Sequence, residues 1–467
     1  MVVDRVPTYI FLCWIHRAEF TVVVARFRLK RATAMHIDLS PERLVFPGRG
    51  HENSSLGQCM ECGFCTIRCP TFVLLRDEGD SPRGRVRFAK QIVEEGRRAT
   101  PDAIEHLDRC LFCLSCTSSC PYGVDHSGLW DAARTAIEDT KARPLAERLW
   151  RRALAGVLTS PKVFALGVSA APFGRMLRGV LPPRIRRIVD QAPKKLPPTS
   201  PASRPQVFPA VGKRRMRVAL LSGCVQQVLG GKIDTATVRV LTRHGCEVVV
   251  AAGGGCCGAV PLHMGFAESA RKHARRNLAA WQEAAAGGLD AVVINASGCG
   301  STVKTYDTLL GDDTTWSESA RRIASITVDI TELLSELPLD YREKPNGFPV
   351  ALHLPCSQQH GQGITIGPQR LLEESGFKVC SLPESHMCCG AAGTYNLTQP
   401  EISDQLGQRK GRALDDSGAK AVATGNMGCL LHISRFSRLP VVHTVELLDW
   451  VTGGNVPDRL ASILRKP

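Results

Sequence analysis

The residues best suited to chemistry in this sequence are eight cysteines in two matching runs. The first reads CMECGFCTIRCP and places Cys59, Cys62, Cys65 and Cys69 before Pro70. The second reads CLFCLSCTSSCP and places Cys110, Cys113, Cys116 and Cys120 before Pro121. Each is C-x2-C-x2-C-x3-C-P, the spacing that holds a cubane [4Fe–4S] cluster in bacterial ferredoxins. Soft thiolates suit iron–sulfur better than carboxylates do. Three cysteines two residues apart wrap three corners of one cubane, and the fourth ligates the other cluster in two-cluster ferredoxins. The spacing therefore predicts one cluster on Cys59, Cys62, Cys65 and Cys120, and a second on Cys69, Cys110, Cys113 and Cys116. The proline after each fourth cysteine removes a backbone donor and turns the chain. The alternative is a pair of zinc sites or a disulfide scaffold. Zinc sites usually pair two CxxC knuckles rather than run three cysteines in series.

A second thiol pattern lies further along and is itself repeated. Cys224, the pair Cys256–Cys257 before Gly258, and Cys299 form one set; Cys356, the pair Cys388–Cys389 before Gly390, and Cys429 form the other. Counterparts are 132 residues apart, or 130 for the last, which implies a duplicated domain. Each set has enough thiols for a further iron–sulfur or zinc centre; the competing reading is a redox dithiol or a docking surface. Cys246 and Cys380 stand apart within predicted strands, where an unligated buried thiol is the default. His263, His353, His360, His386 and His432 stand near these cysteines. Imidazole can replace a thiolate on iron, but hydrogen bonding around the site is the stronger expectation for each.

The elements that must position these groups follow from pattern. GRVRFAKQIVEEG reads as a helix ending at Gly96, and PDAIEHLDRC as another with Pro101 at its first position. Residues 48–140 thus read as a helical ferredoxin with its cysteine runs between helices. In the first repeat, RVALLSGC, CEVVVAAG and DAVVINASGC read as strands separated by helices. PVALHLPC, FKVCSLPE and KAVATGNMGC take the same parts in the second. This alternation predicts α/β repeats with parallel sheets, the cysteines collecting at the carboxyl ends of strands. The fold class is α+β multidomain: the ferredoxin, a basic Pro-rich linker (141–215), a first repeat (216–345) and a second (346–467).

The chain has 467 residues, 43% of them hydrophobic, which suffices for several cores. Sixteen of the nineteen cysteines fall in metal-ligand spacings, which favours a reducing, cytoplasmic compartment. The formal charge is +15, yet only 6% of residues are aromatic, which argues against a stacking surface for nucleic acid. The charge concentrates between Lys141 and Arg217, with 18 Lys and Arg against two acids. Leu145, Leu149, Leu154, Val157, Leu158, Val163, Phe164 and Leu166 add apolar residues at helical spacing. A basic amphipathic helix followed by an extended linker suits the cytoplasmic face of the inner membrane or an acidic partner; otherwise it is a solvated tether. No run of 18 apolar residues predicts a membrane span. Residues 1–47 read as an extension, with translation expected from Met35, a weak targeting segment as the alternative, and Cys13 inert.

Two ferredoxin motifs followed by two CCG repeats resemble the glycolate oxidase iron–sulfur subunits. The resemblance rests on SPRGR at Ser81–Arg85, EHLDRC at Glu105–Cys110, GCCGAV at Gly255–Val260, ASGCG at Ala296–Gly300 and SHMCCGAAGTYNL at Ser385–Leu397. It implies an electron-transfer subunit that passes electrons from a FAD-containing partner, which oxidises glycolate to glyoxylate, toward a quinone or other membrane acceptor. Subunits of anaerobic glycerol-3-phosphate dehydrogenase or lactate dehydrogenase are alternatives, as is a heterodisulfide-reductase-like thiol–disulfide reductase. Heterodisulfide reductase ends its CCG domain in CxxC; here Thr302 and His432 stand where that last thiol would be. No dinucleotide fingerprint or P-loop lysine is present, so a hydride-accepting step belongs to another chain. Catalytic residues are accordingly expected to be none.

Overall fold

The computed structural model describes residues 59–464. The expectations for residues 1–47, including Met35 and Cys13, lie outside the described residues.

The helices around the first cysteine runs start where the caps dictate. Ser81 Oγ accepts from Gly84 N at 3.0 Å, Pro82 takes the first position, and the helix runs Pro82–Val93. Thr100 Oγ1 accepts from Ala103 N at 3.2 Å, and Pro101 opens the helix Pro101–Asp108. A cap of this type is worth about 1 kcal/mol. Val86, Ala89 and Ile92 on one face of Pro82–Val93 are buried, and the helix packs against His126–Asp139, whose Leu129, Trp130, Ala133 and Ile137 are also buried. Burying such aliphatic side chains stabilises by roughly 1.5–3 kcal/mol each.

The basic stretch contains three helices, Leu145–Thr159, Pro161–Met176 and Pro183–Gln191, rather than one helix and a tether. Its cations are partly satisfied within the chain. Arg143 bonds Glu138 at 2.7 Å and both oxygens of Asp108 at 2.5 and 2.8 Å. Arg151 bonds Glu138 at 3.0 Å and reaches the carbonyl of Met264 at 3.0 Å. Arg187 clamps Asp404 through both terminal nitrogens, at 3.0 and 2.8 Å. Among the described residues no single helix is long and apolar enough to cross a membrane; the first two of these helices pass on composition only as a pair, bent by 101°.

The two repeats each build a sheet. In the first, β1 (Gln206–Phe208), β2 (Met216–Leu220), β3 (Cys246–Val250), β4 (Ala291–Ile294) and β5 (Thr327–Asp329) are ordered β1-β3-β2-β4-β5. In the second, β6 (Pro349–His353), β7 (Lys378–Cys380), β8 (Ala421–Thr424) and β9 (Val441–His443) are ordered β7-β6-β8-β9. All pairings are parallel except β1 with β3, an antiparallel edge contributed by the proline-rich segment. The sequence pattern did not single out β1, β5 or β9; all three are only three residues long.

The repeats share one core. Val218, Leu220 and Val248 of the first sheet and Val350, Leu352 and Val422 of the second belong to the same buried cluster. The exchange is reciprocal. The helix Gly231–Arg243 of the first repeat packs on Thr444–Val451 of the second, and Gly367–Glu374 of the second packs on Ile330–Glu336 of the first. Arg239 and Arg243 converge on the buried Asp449 across this joint.

Candidate metal centres

The eight ferredoxin-type thiols fall into two neighbourhoods. Cys59, Cys62, Cys65 and Cys120 lie toward the surface, and Cys62 is exposed. Burial, and then the charges of Cys59, Cys120 and Cys62, push the Cys65 thiol up to about 11. Met60, Phe64, Ile67 and Tyr122 are exposed beside these cysteines in the chain. Cys69, Cys110, Cys113 and Cys116 line one small cavity deeper in the molecule, together with Arg85 and Trp130. Burial first, and then neighbouring thiols, push Cys113 and Cys116 well up. Four thiols round one cavity are a donor set that fits an iron–sulfur core.

The SPRGR motif acquires a physical meaning here. Ser81 and Pro82 start the helix, and Gly84 passes so close to Glu78 that a Cβ would stand 2.1 Å from its carbonyl oxygen. Arg83 pairs with Glu78 at 2.5 Å. Arg85 is fully buried. Its Nε donates to the carbonyl of His106 at 2.7 Å, Nη2 to Thr71 Oγ1 at 2.9 Å and Asp80 Oδ1 at 3.1 Å, and Nη1 approaches Cys69 Sγ at 3.7 Å. Burial opposes the Arg85 charge, but Cys110, Cys69 and Asp80 more than offset it and hold the guanidinium charged. Asp80 is in turn bonded by Arg109 at 3.1 Å. Arg85, Asp80 and Arg109 were not among the expected site residues. The signal was available: an arginine one turn into a capped helix between two cysteine runs.

The CCG sets form rows of touching thiols. In the second repeat Cys356 Sγ lies 3.9 Å from Cys388 Sγ, and the row continues through Cys389 to Cys429. In the first it runs Cys224, Cys256, Cys257, Cys299. Contact with the adjoining thiol, and then burial, push Cys224 and Cys356 well up. The glycine of each CCG holds a left-handed turn, φ +89° at Gly258 and +95° at Gly390. At Gly390 a Cβ would stand 2.6 Å from the Ser403 carbonyl oxygen, so only glycine closes the turn. Its amide also donates to Cys388 Sγ at 3.4 Å, and Gly258 does the same to Cys256. Cys224 and Cys356 open short helices rather than ending strands, and Cys299 and Cys429 sit in the first turn of theirs. Of the isolated thiols, Cys246 is buried on β3, whereas Cys380 on the edge strand β7 is only half-buried, contrary to expectation.

The histidines separate clearly. His263 packs against Phe112, the ring centroids 3.9 Å apart and the planes tilted by 34°. His360 Nδ1 is 2.8 Å from Ser118 Oγ, and its Nε2 is 3.2 Å from the carbonyl oxygen of His386. His432, in the position of the missing thiol, turns to Ser403, with Nε2 3.3 Å from its carbonyl oxygen. His386 is half-buried, and burial lowers its basicity. His353 alone joins the thiols: its ligand atom and those of Cys389 and Cys429 all lie within 4.8 Å of one another, and all three residues are buried. Burial pushes His353 down to about 3, so its imidazole is neutral.

The second thiol row abuts the buried ferredoxin group. Cys113 feels the charge of Cys356, and Cys388 that of Cys113. Leu111, Cys113, Met387, Cys388 and Tyr395 share one apolar cluster, and Tyr395 Oη donates to the Arg109 carbonyl at 2.7 Å. The cysteine loop around Phe112 is therefore gripped by His263 of the first repeat and by Tyr395 of the second.

The comparisons with known proteins agree with this layout. The 4Fe-4S dicluster domain family matches residues 55–124, and the Cysteine-rich domain family matches residues 218–304 and 350–434. The glycolate oxidase iron–sulfur subunit of Escherichia coli (strain K12) is 39% identical over 397 residues, 85% of this chain and 94% of that protein. The probable glycolate oxidase iron–sulfur subunit of Bacillus subtilis (strain 168) is 31% identical over 419 residues, with the same coverage of each. Lactate utilization protein A of Bacillus velezensis is 29% identical over 241 residues, half of this chain and 99% of that protein.

Proposed function

The chain belongs to the family of glycolate oxidase iron–sulfur subunits, and from that premise we propose that it carries electrons within a flavin-dependent glycolate dehydrogenase complex. The observation that carries the reading is the graded placement of the eight thiols. One group, Cys59, Cys62, Cys65 and Cys120, reaches the surface; the other, Cys69, Cys110, Cys113 and Cys116, is enclosed and adjoins the second repeat. We assign one [4Fe–4S] cluster to each group. Bound there, the clusters supply one-electron transfer. The chain's own residues enclose the inner group, keep Arg85 charged beside it, and leave the outer group accessible to a partner.

In this proposal a FAD-containing partner oxidises glycolate to glyoxylate, and the electrons leave for a quinone or another membrane acceptor. The working division is ferredoxin 48–140, basic connector 141–215 and repeats 216–345 and 346–467. The half-length match to a lactate utilization protein supports lactate as the competing substrate. Reconstitution tests both. The isolated chain should not oxidise either acid, and addition of the partner flavoprotein should give glycolate-dependent reduction of quinone or dye. Turnover by this chain free of flavin would overturn the proposal, and a complex that turns over lactate but not glycolate would replace its substrate.

A further inference from the structure

Between Glu147 and Asp190 the chain carries nine Lys and Arg and not one acid. The two acids that bound this stretch are themselves paired, Glu147 with Arg184 at 2.7 Å and Asp190 with Arg178 at 2.9 Å. Arg151 and Arg187 are paired inside the chain, whereas Arg152 and Lys162 stay exposed. The helix Pro161–Met176 is held by one face. Its Val168 and Ala171 are buried, and Gly174 lies so close to the helix Pro183–Gln191 that a Cβ would stand 2.9 Å from Val189 Cγ2. The other face is apolar and open to water. Val163, Leu166, Ala170, Phe173 and Leu177 follow one another at steps of three and four residues, which makes one row, and all five are exposed. Leu166, Phe173 and Met176 are 71%, 65% and 81% exposed. On the preceding helix Leu145 and Leu149 are exposed in one row with Arg152. A soluble surface rarely leaves so many large apolar side chains in one row without something to cover them.

We propose that this face rests on a bilayer containing anionic lipid. The helix Pro161–Met176 lies in the plane of the interface, with Leu166, Phe173 and Met176 among the acyl chains and Arg152 and Lys162 at the headgroup phosphates. A helix lying in the interface needs an apolar row and flanking cations, and this one has both. An acidic protein surface would answer the cations and leave the apolar row uncovered; anionic lipid answers both. The helix rests on the bilayer and does not cross it. Its sixteen residues rise about 24 Å, short of a hydrocarbon core of about 30 Å, and it is bent by 101° from Leu145–Thr159. Packing against Pro183–Gln191 and Cys224–Leu229 fixes the helix beforehand, so little ordering is needed on contact. The inference rests on the proposal that electrons leave for a membrane acceptor, to which this face brings the chain. Vesicle binding is read without turnover, so either can fail without the other.

The test uses the full-length protein, purified without oxygen and with its ferredoxin clusters in place. Its flotation is measured with vesicles of phosphatidylcholine alone and of phosphatidylcholine mixed with phosphatidylglycerol. The protein should bind the mixed vesicles more tightly, and less so as salt screens the charges over about 10 Å near 0.1 M. Leu166→Ser, Phe173→Ser and Met176→Ser combined should weaken binding at least about 100-fold, since each removes an apolar side chain from the contact. Arg152→Ala with Lys162→Ala should weaken it about tenfold and flatten its salt dependence. Both variants should keep the cluster EPR signals and, with the partner flavoprotein, the reduction of a water-soluble dye. Ile366→Ser, which removes an equally exposed apolar residue from the second repeat, should leave binding unchanged. Four outcomes would overturn the proposal: no binding to mixed vesicles by protein with intact clusters, equal binding to both vesicle types, undiminished binding by the triple variant, or self-association or flavoprotein affinity that falls in the triple variant while vesicle binding stands.

Discussion

Replacing Arg85 by Met should lower the reduction potential of the inner cluster. The guanidinium is fully buried, and Nη1 lies 3.7 Å from Cys69 Sγ. An added electron on that centre is stabilised by the fixed positive charge. With the charge roughly 6 Å from the centre and an effective dielectric of about 20, Coulomb's law gives roughly 2.8 kcal/mol, or roughly 120 mV for one electron. Asp80 is paired with Arg85, and its negative carboxylate works in the opposite sense. Asp80→Asn should therefore raise the potential, since it removes a negative charge close to the centre. Removing one partner of a buried pair costs about 3–5 kcal/mol. Arg109 at 3.1 Å still holds Asp80 when Arg85 is gone, so the fold should survive. The assay is an EPR-monitored redox titration of the anaerobic full-length protein. The outer cluster serves as an internal reference, since Arg85 faces the inner group. Opposite shifts in the two variants distinguish electrostatics from damage. Shifts of the same sign in both, or none beyond about 20 mV in Arg85→Met, would refute the reasoning.

Three further outcomes are expected. Cys120→Ser and Cys59→Ser should remove the same EPR signal, and Cys69→Ser the other, because the thiols sort by neighbourhood rather than by run; loss of different signals in the first two would reject crossed ligation. Burial lifts the Asp234 carboxyl to about 6, where it accepts from Gln226 and Asn295. The folded state therefore holds this proton more tightly than the unfolded chain, so the stabilisation is full below about pH 4 and is lost as the pH rises through about 6, at up to about 1.4 kcal/mol per pH unit. Asp234→Asn should then gain on the parent between those limits in urea melts, and parallel pH curves would count against the burial argument. Gly390→Ala should destabilise the second repeat by roughly 1–3 kcal/mol, since its φ is +95° and the new Cβ meets the Ser403 carbonyl; an unchanged denaturation midpoint would contradict this.

Local spacing carried most of what the sequence determined. Cysteines two and three residues apart must share a loop whatever surrounds it, so both runs and their cluster type could be read directly. Pro101 marked the start of one ferredoxin helix to the residue, whereas the other, read from GRVRFAKQIVEEG as ending at Gly96, begins at Pro82 and ends at Val93. Duplication was legible because thiols that hold equivalent backbone positions drift little in register, and alternating apolar runs announced the parallel strands. The short strands β1, β5 and β9 carry too few residues to show a period.

Only the tertiary structure decided which of these groups meet. Nothing in the spacing says that Cys113 faces Cys356 and Cys388 of the second repeat rather than the row of the first. The choice of His353 over His432 beside the thiols depends on how β6 and β8 align, a pairing of segments far apart in the chain. The basic connector looked uniformly available for an outside partner, yet Arg143, Arg151 and Arg187 are drawn into buried or partly buried ion pairs with Asp108, Glu138 and Asp404. Charge and thiol content are properties of composition. Which charge is neutralised and which thiol is approached depend on contacts between distant segments, and these are set by the packing of the shared core.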